Sequence, residues 1–175
     1  MPEIGFGKIF QRVLLPIIMA SCLVAANSAI FYYSMSQMDF SSTEAMEASS
    51  KSFEGSPLAV ASTILWLGEL AVAIWAGYRA AKPGMAILTG AIGGAVLSLY
   101  TGILRAVLSG LVFWFFVSRL PELAVFDVLA AEMPFVAELI GIAMVIGTVL
   151  GIGLNMLAGL VLGAVGGIIA GRIKK

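Results

Sequence analysis

The sequence predicts an all-α integral membrane protein with four transmembrane helices, and three observations lead there. Of 175 residues, 61% are apolar and only 11% charged, against about 25% charged in an ordinary soluble domain. Apolar stretches of about 20 residues recur, the length that crosses roughly 30 Å of hydrocarbon. In the last two stretches, small residues return every four positions. One ladder reads Ala86, Gly90, Gly94, Ser98, Gly102, Ala106 and Gly110; the other reads Ala143, Gly147, Gly151, Asn155, Gly159, Gly163, Gly167 and Gly171. Lipid removes the hydrophobic drive between helices, so small side chains that admit close backbone approach become a main route to association. The third and fourth spans are therefore expected to be tightly packed.

Taken in order, residues 2–14 set Ile4, Phe6, Ile9, Phe10, Val13 and Leu14 against Glu3, Lys8, Gln11 and Arg12 at near-helical spacing. This pattern predicts a short N-terminal helix lying at the membrane interface. Pro16 marks a bend, and the first span covers about 15–34, ending in the aromatic group Phe31-Tyr32-Tyr33 at the far interface. Met19-Ala20-Ser21-Cys22 resembles a lipoprotein cleavage box, but the residues after Cys22 stay apolar through Tyr33, so the segment reads as an uncleaved anchor. Residues 35–56 are rich in Ser, Met and Glu and read as an external loop, with a turn of helix around Glu44 to Ala48. The second span covers about 57–79. Arg79-Ala80-Ala81-Lys82-Pro83-Gly84 is a tight connection with turn residues. The third span covers about 84–105 with an apolar extension to 117, residues 118–133 form a second external loop, and the last apolar run covers about 134–171.

Charge sorting orients the chain. One set of ends holds Lys8, Arg12, Arg79, Lys82, Arg172, Lys174 and Lys175 against Glu3; the loops opposite hold Asp39, Glu44, Glu47, Glu54, Glu122, Asp127 and Glu132 against Lys51 and Arg119. By the positive-inside rule both termini are cytoplasmic and the protein is a multi-pass protein of the cell membrane. Five spans would strand the basic tail outside, so the count is four.

The last two apolar runs exceed a simple span. Counted from Pro83, about 22 residues suffice, which puts the outer boundary near Arg105; counted back from Arg172 it falls near Gly151. The surplus pieces, 106–117 and 134–150, are half-helices re-entering the bilayer, flat interfacial helices, or extensions covered by a partner, and helix is the expected local structure in each case. A four-residue step rotates the stripe by about 40°, so from Gly147 to Gly171 it winds by about 240°. One straight neighbour cannot use all of it. Either the helix bends or its two halves meet different partners. Ile74-Trp75-Ala76-Gly77-Tyr78-Arg79 also echoes Ile168-Ile169-Ala170-Gly171-Arg172. Small and basic residues are common where any helix leaves the cytoplasmic face, and that is the favoured explanation over a duplicated hairpin. These ends and the glycine-rich spans, over roughly 68–110 and 141–175, resemble in composition other small four-helix membrane proteins, a likeness that implies no activity.

Candidate functional residues are few. Glu69 lies about 15 Å along its helix from Arg79, near mid-membrane, where a carboxylate by default suggests ion, proton or substrate handling; the alternative is a hydrogen bond to a neighbouring helix. Arg105 is a tempting partner, but it lies about 33 Å from its own boundary by the same rise, so depth argues against a direct pair unless the third span breaks near Gly93-Gly94. Asn155, near Arg105 in depth, predicts an outer polar cluster that Glu138 joins if the surplus segment folds back; the alternative is an interfacial Arg105 bonded to lipid phosphate. Gly90, Gly94, Ser98, Gly102, Gly147, Gly151, Gly159, Gly163, Gly167 and Gly171 are the expected helix-packing positions, and Phe113-Trp114-Phe115-Phe116 is expected among headgroups.

No histidine is present, and the lone Cys22 excludes an intrachain disulfide and a cysteine metal cage. With no nucleophile elbow, phosphate-binding loop or paired intramembrane aspartates, no enzyme and no cofactor or metal are expected. The absence of a basic tract argues against nucleic acid. The expected partners are the lipid bilayer and a homo-oligomer or larger membrane complex. The expected function is that of an accessory or scaffolding subunit acting through helix–helix association, with a small ion, proton or solute transporter or channel using Glu69 as the alternative.

Overall fold

The computed structural model describes residues 5–37, 43–117 and 134–173, which form five helices: α1 (Phe6–Ser36), α2 (Thr43–Glu54), α3 (Pro57–Ala80), α4 (Ala86–Val117) and α5 (Pro134–Ile173). Four of them, α1, α3, α4 and α5, are long and apolar enough to cross a membrane. Glu3, Asp39, Lys174, Lys175 and the loop at 118–133, with Arg119, Glu122, Asp127 and Glu132, lie outside the described residues.

The N-terminal segment corrects one expectation. There is no separate interfacial helix among the described residues: α1 is continuous from Phe6 and carries Pro16 inside it. The reason is burial. Ile9, Val13, Ile17, Ala20 and Val24 recur at helical spacing and are all buried, so one stripe docks along the whole segment. Pro16, which cannot offer an N–H to the Arg12 carbonyl, is itself among the fully buried side chains. Arg12 Nη1 donates to the Ala81 carbonyl at 3.5 Å, tying the start of α1 to the end of α3.

The loop at 35–56 holds more helix than a single turn, with α2 running twelve residues. Ser56 caps α3, its hydroxyl accepting from the Ala59 N–H at 3.3 Å, and Pro57 follows at the position where a missing N–H costs nothing. The α3–α4 turn is closed by the Met85 N–H donating to the Lys82 carbonyl, with Gly84 at φ +80° where a side chain would be strained. Buried Thr89 Oγ1 accepts from the Lys82 N–H at 2.9 Å and donates to the Met85 carbonyl at 2.8 Å, which satisfies groups freed by the turn.

α4 is the spine of the bundle. It packs against α1, α3 and α5, and its most extensive contact is with α5, which also packs on α3. Its buried positions come as doublets: Thr89-Gly90, Gly93-Gly94, Leu97-Ser98 and Thr101-Gly102. Adjacent residues point about 100° apart on a helix, so each doublet serves two neighbours. A Cβ on Gly93 would strike Ala80 of α3 and stand 3.4 Å from Val13 of α1, whereas one on Gly94 would stand 2.7 Å from Gly163 Cα of α5.

The contacts also fix which ends lie together. The start of α1 touches the α3–α4 turn through Arg12, and Gly171 of α5 lies against Ala86 at the start of α4. Both ends of the described chain therefore sit at the same end of the bundle as that turn, called the near end below. α2 lies at the far end, where Ser49, Phe53 and Leu58 border a cleft with Tyr33 and Gln37.

α4 and α5 each run as one uninterrupted helix through their surplus apolar pieces, so neither 106–117 nor 134–150 is a separate re-entrant segment among the described residues. From Gly141 to Leu150 every residue of α5 is exposed.

Candidate functional site

Three sets of residues bear on function, and they lie at successive heights along α4. Lowest is the glycine contact. Gly90 and Gly94 of α4 face Gly159, Gly163 and Gly167 of α5; a Cβ at Gly90 would stand 2.8 Å from Gly167 Cα, and one at Gly163 would stand 2.8 Å from Gly94 Cα. Ser98 completes the row, its side chain filling the place a Cβ at Gly159 would take. Two further glycines that the four-residue spacing did not select join α3 to the same surface. Gly77 abuts Gly163, and Gly166 abuts Ile74 and Tyr78. The Gly166-Gly167 doublet was the signal, since paired small residues open two faces of one helix.

Gly102 and Gly171 make looser contacts, with Asn155 Nδ2 at 3.3 Å and Ala86 Cβ at 3.4 Å from the added Cβ. Gly147 and Gly151 meet nothing within 4 Å. These last two expected packing positions are thus corrected: among the described residues they pack against nothing, and at Gly151 a cavity separates α5 from α4.

Next is Asn155. It does not reach Arg105. Its Nδ2 instead donates to the Ser98 carbonyl at 2.7 Å and lies 3.4 Å from Thr101 Oγ1, itself bonded to the same carbonyl at 3.2 Å. A backbone carbonyl in a helix keeps a spare lone pair, so the amide clamps α5 to α4 without breaking a helical bond. Glu138 is exposed near the start of α5 and joins no cluster among the described residues. The outer cluster of Arg105, Asn155 and Glu138 does not form, because α5 stays straight past Gly151 instead of folding back.

Highest is the ion pair between Glu69 and Arg105, whose Nη2 donates to Glu69 Oε2. This overturns the depth argument, and without a break in α4. Gly77 and Gly90 both abut Gly163 and so mark a common level. From there Glu69 lies about 12 Å along α3 and Arg105 about 22 Å along α4 at helical rise, a gap of about 10 Å that an extended arginine and a glutamate close together. Counting each helix from its charged end had doubled that gap in part because the turn at Lys82–Met85 sets α4 lower than its sequence number implies. The Glu69 side chain is 13% exposed and that of Arg105 41%. Glu69 Oε1 is buried with no hydrogen-bond partner among the described residues.

At the near end, Arg79 lies over the Trp75 ring, 5.5 Å from its centroid. This holds the cation at the end of α3, beside the turn that carries Lys82. Among the described residues no group of three or more Cys, Asp or Glu is placed to hold a metal ion. No protein-family model matches this chain, and comparisons with curated proteins and with solved structures find no match.

Proposed function

We propose that this protein is a four-span integral protein of the cell membrane, with its near end cytoplasmic, acting as a non-catalytic accessory or scaffolding subunit through helix–helix association. The orientation rests on charge. Lys8, Arg12, Arg79, Lys82 and Arg172 belong to the near end, while Glu44, Glu47 and Glu54 belong to the far-end helix α2, and basic residues favour the cytoplasmic side.

One observation carries the association: α5 is longer than the membrane that would hold it. Its 40 residues make a rod of about 60 Å. Even a tilt of about 40° leaves about 46 Å along the membrane normal against roughly 30 Å of hydrocarbon. From Leu139 to Leu150 Thr148 is its one polar side chain, and Ile142, Val145, Ile146, Val149 and Leu150 are all more than half exposed. A helix that is apolar all round is normally buried, and beyond the hydrocarbon only protein can bury it. A second copy or another membrane subunit supplies the cover, with Gly147 offering a close approach. Native mass measurement in mild detergent tests this. Assemblies larger than one chain, or a co-purifying membrane protein, are expected; monomers alone would reject the reading.

A second reading has one observation in its favour. The unpartnered Glu69 Oε1 leaves a buried carboxylate with spare capacity to bind a proton or cation, as a small ion, proton or solute transporter would use. Reconstituted vesicles carrying Glu69→Gln would then lose flux that the unaltered chain supports; equal flux from both would remove transport through Glu69.

A further inference from the structure

A cavity of about 550 Å³ opens between the far parts of α1, α4 and α5. Its walls are mainly apolar, with Phe31 of α1 and Met144 of α5 among them, yet four polar side chains border it: Arg105, Ser109, Thr148 and Asn155. Two of these are spent on the protein itself. Thr148 Oγ1 donates to the Met144 carbonyl at 2.8 Å, and Asn155 clamps Ser98. Arg105 is different. A guanidinium carries five N–H donors, and among the described residues its single bond is the one from Nη2 to Glu69. The two ends of that pair are also unequal: the carboxylate is the buried end and the guanidinium the open one. The charge presented to the cavity is therefore positive.

Height supplies the second argument. Arg105 lies about 28 Å along α4 from Ala86. With the near hydrocarbon edge at Arg79 and Lys82, that places it close to the far edge of a layer about 30 Å thick, the level at which lipid phosphates begin. Glycine at 151 leaves the α5 wall open, since a Cβ there would meet nothing within 4 Å.

We infer that this cavity seats the phosphate of an anionic phospholipid of the far leaflet, with Arg105 donating to the phosphate oxygens and an acyl chain running from there toward the near end past Gly102 and Ile152. Arginine suits phosphate because its planar fork can give two parallel hydrogen bonds, and basic pockets between membrane helices are a recurrent headgroup site. An anionic headgroup is favoured over a zwitterionic one because the latter's ammonium finds no free carboxylate among the described residues. Glu69 is buried and engaged, and Glu138 lies about 9 Å beyond Met144 along α5. The inference rests on the chain spanning a bilayer, though not on any protein partner.

The test uses the full chain in nanodiscs of equal phosphatidylglycerol and phosphatidylcholine, with lipid retention read by native mass spectrometry after release into mild detergent. Phosphatidylglycerol should be retained over phosphatidylcholine by several-fold, because the phosphate is common to both and only the choline ammonium is repelled by the Arg105 cation. Arg105→Gln should bring the ratio near unity. Because that change also strips Glu69 of its partner, Glu69→Gln/Arg105→Gln and Gly151→Leu are measured beside it. The first removes both charges and the second fills the cavity without touching Arg105, and each should lower the ratio in protein whose helical melt is intact. Equal retention of the two lipids by the unaltered chain, or a ratio that no variant changes, overturns the proposal. Displacement of phosphatidylglycerol by excess inorganic phosphate would assign the site to a free oxyanion and overturn the lipid. Alkaline carbonate extraction separates the premises: a chain released from membranes sinks the spanning reading, whereas a retained chain without lipid preference sinks only this site.

Discussion

The two halves of α5 read alike in sequence and behave differently in the structure. From Gly159 to Gly171 and from Ala143 to Gly151, small residues return every four positions in an otherwise apolar helix. In the near half they meet Gly77, Ala86, Gly90 and Gly94 at backbone contact; in the far half Gly147 and Gly151 meet nothing among the described residues. A small-residue ladder is therefore a capacity for close approach and not a contact in itself. Small residues on the facing helix do not suffice either: α4 continues its ladder through Gly102, Ala106 and Gly110, yet above Asn155 a cavity lies between these residues and Gly151.

That contrast can be broken most directly at Gly163, which abuts Gly77, Gly90 and Gly94 at once. Gly163→Val places methyl groups against backbone that cannot rotate away. We expect a loss of about 3 kcal/mol or more, seen as early melting or loss of a single elution peak in detergent; a melt like that of the unaltered chain would show that the near half tolerates separation.

Glu69→Gln, just above the glycine zone, leaves the Arg105 guanidinium without its counter-charge. The cost expected is about 2 kcal/mol, less than for a fully buried pair because Arg105 is partly exposed. The double change Glu69→Gln/Arg105→Gln should recover much of it, and a double-mutant cycle in the same melt measures the coupling. Asn155→Leu, at the border between the halves, should cost about 1 kcal/mol, in the range of interhelical hydrogen bonds in membranes. The smallest effect on stability belongs to the far half. Gly147→Val should change the melt by less than about 0.5 kcal/mol, yet should reduce the assembly seen by native mass if that surface is where a partner docks. A strong destabilisation of the lone chain by Gly147→Val would mean that the halves are not different after all.

Much of the architecture was legible because helix length and apolar content are local properties. The four long helices follow from uninterrupted apolar runs, and Pro83-Gly84 marked the sharp turn between α3 and α4. The N-terminal segment misled because its alternating polar and apolar residues fit two geometries. An interfacial helix and the exposed flank of a docked one share the pattern, and only the stripe from Ile9 to Val24, continued through Pro16, distinguishes them. The Glu69–Arg105 pair was missed for a different reason. Relative height depends on how the turn seats α4 against α3, and no count along a single helix contains that offset. Gly77 and Gly166 escaped because a search at one spacing follows one face, whereas their helices each have two.

The doublets on α4 carry a consequence for biogenesis. The spine offers one row to the helices already made and the other to a helix not yet synthesised: Gly94 precedes Gly159 by about 65 residues, which at typical elongation speeds takes roughly 3–13 s. If the helices enter a membrane in chain order, as the proposed function requires, a glycine groove cut for one late arrival stands open throughout that interval to whatever else occupies the insertion machinery. Newly made chains of this protein should therefore be most prone to mispairing, and most dependent on an insertase that shields them, between the emergence of the third long helix and the arrival of the fourth.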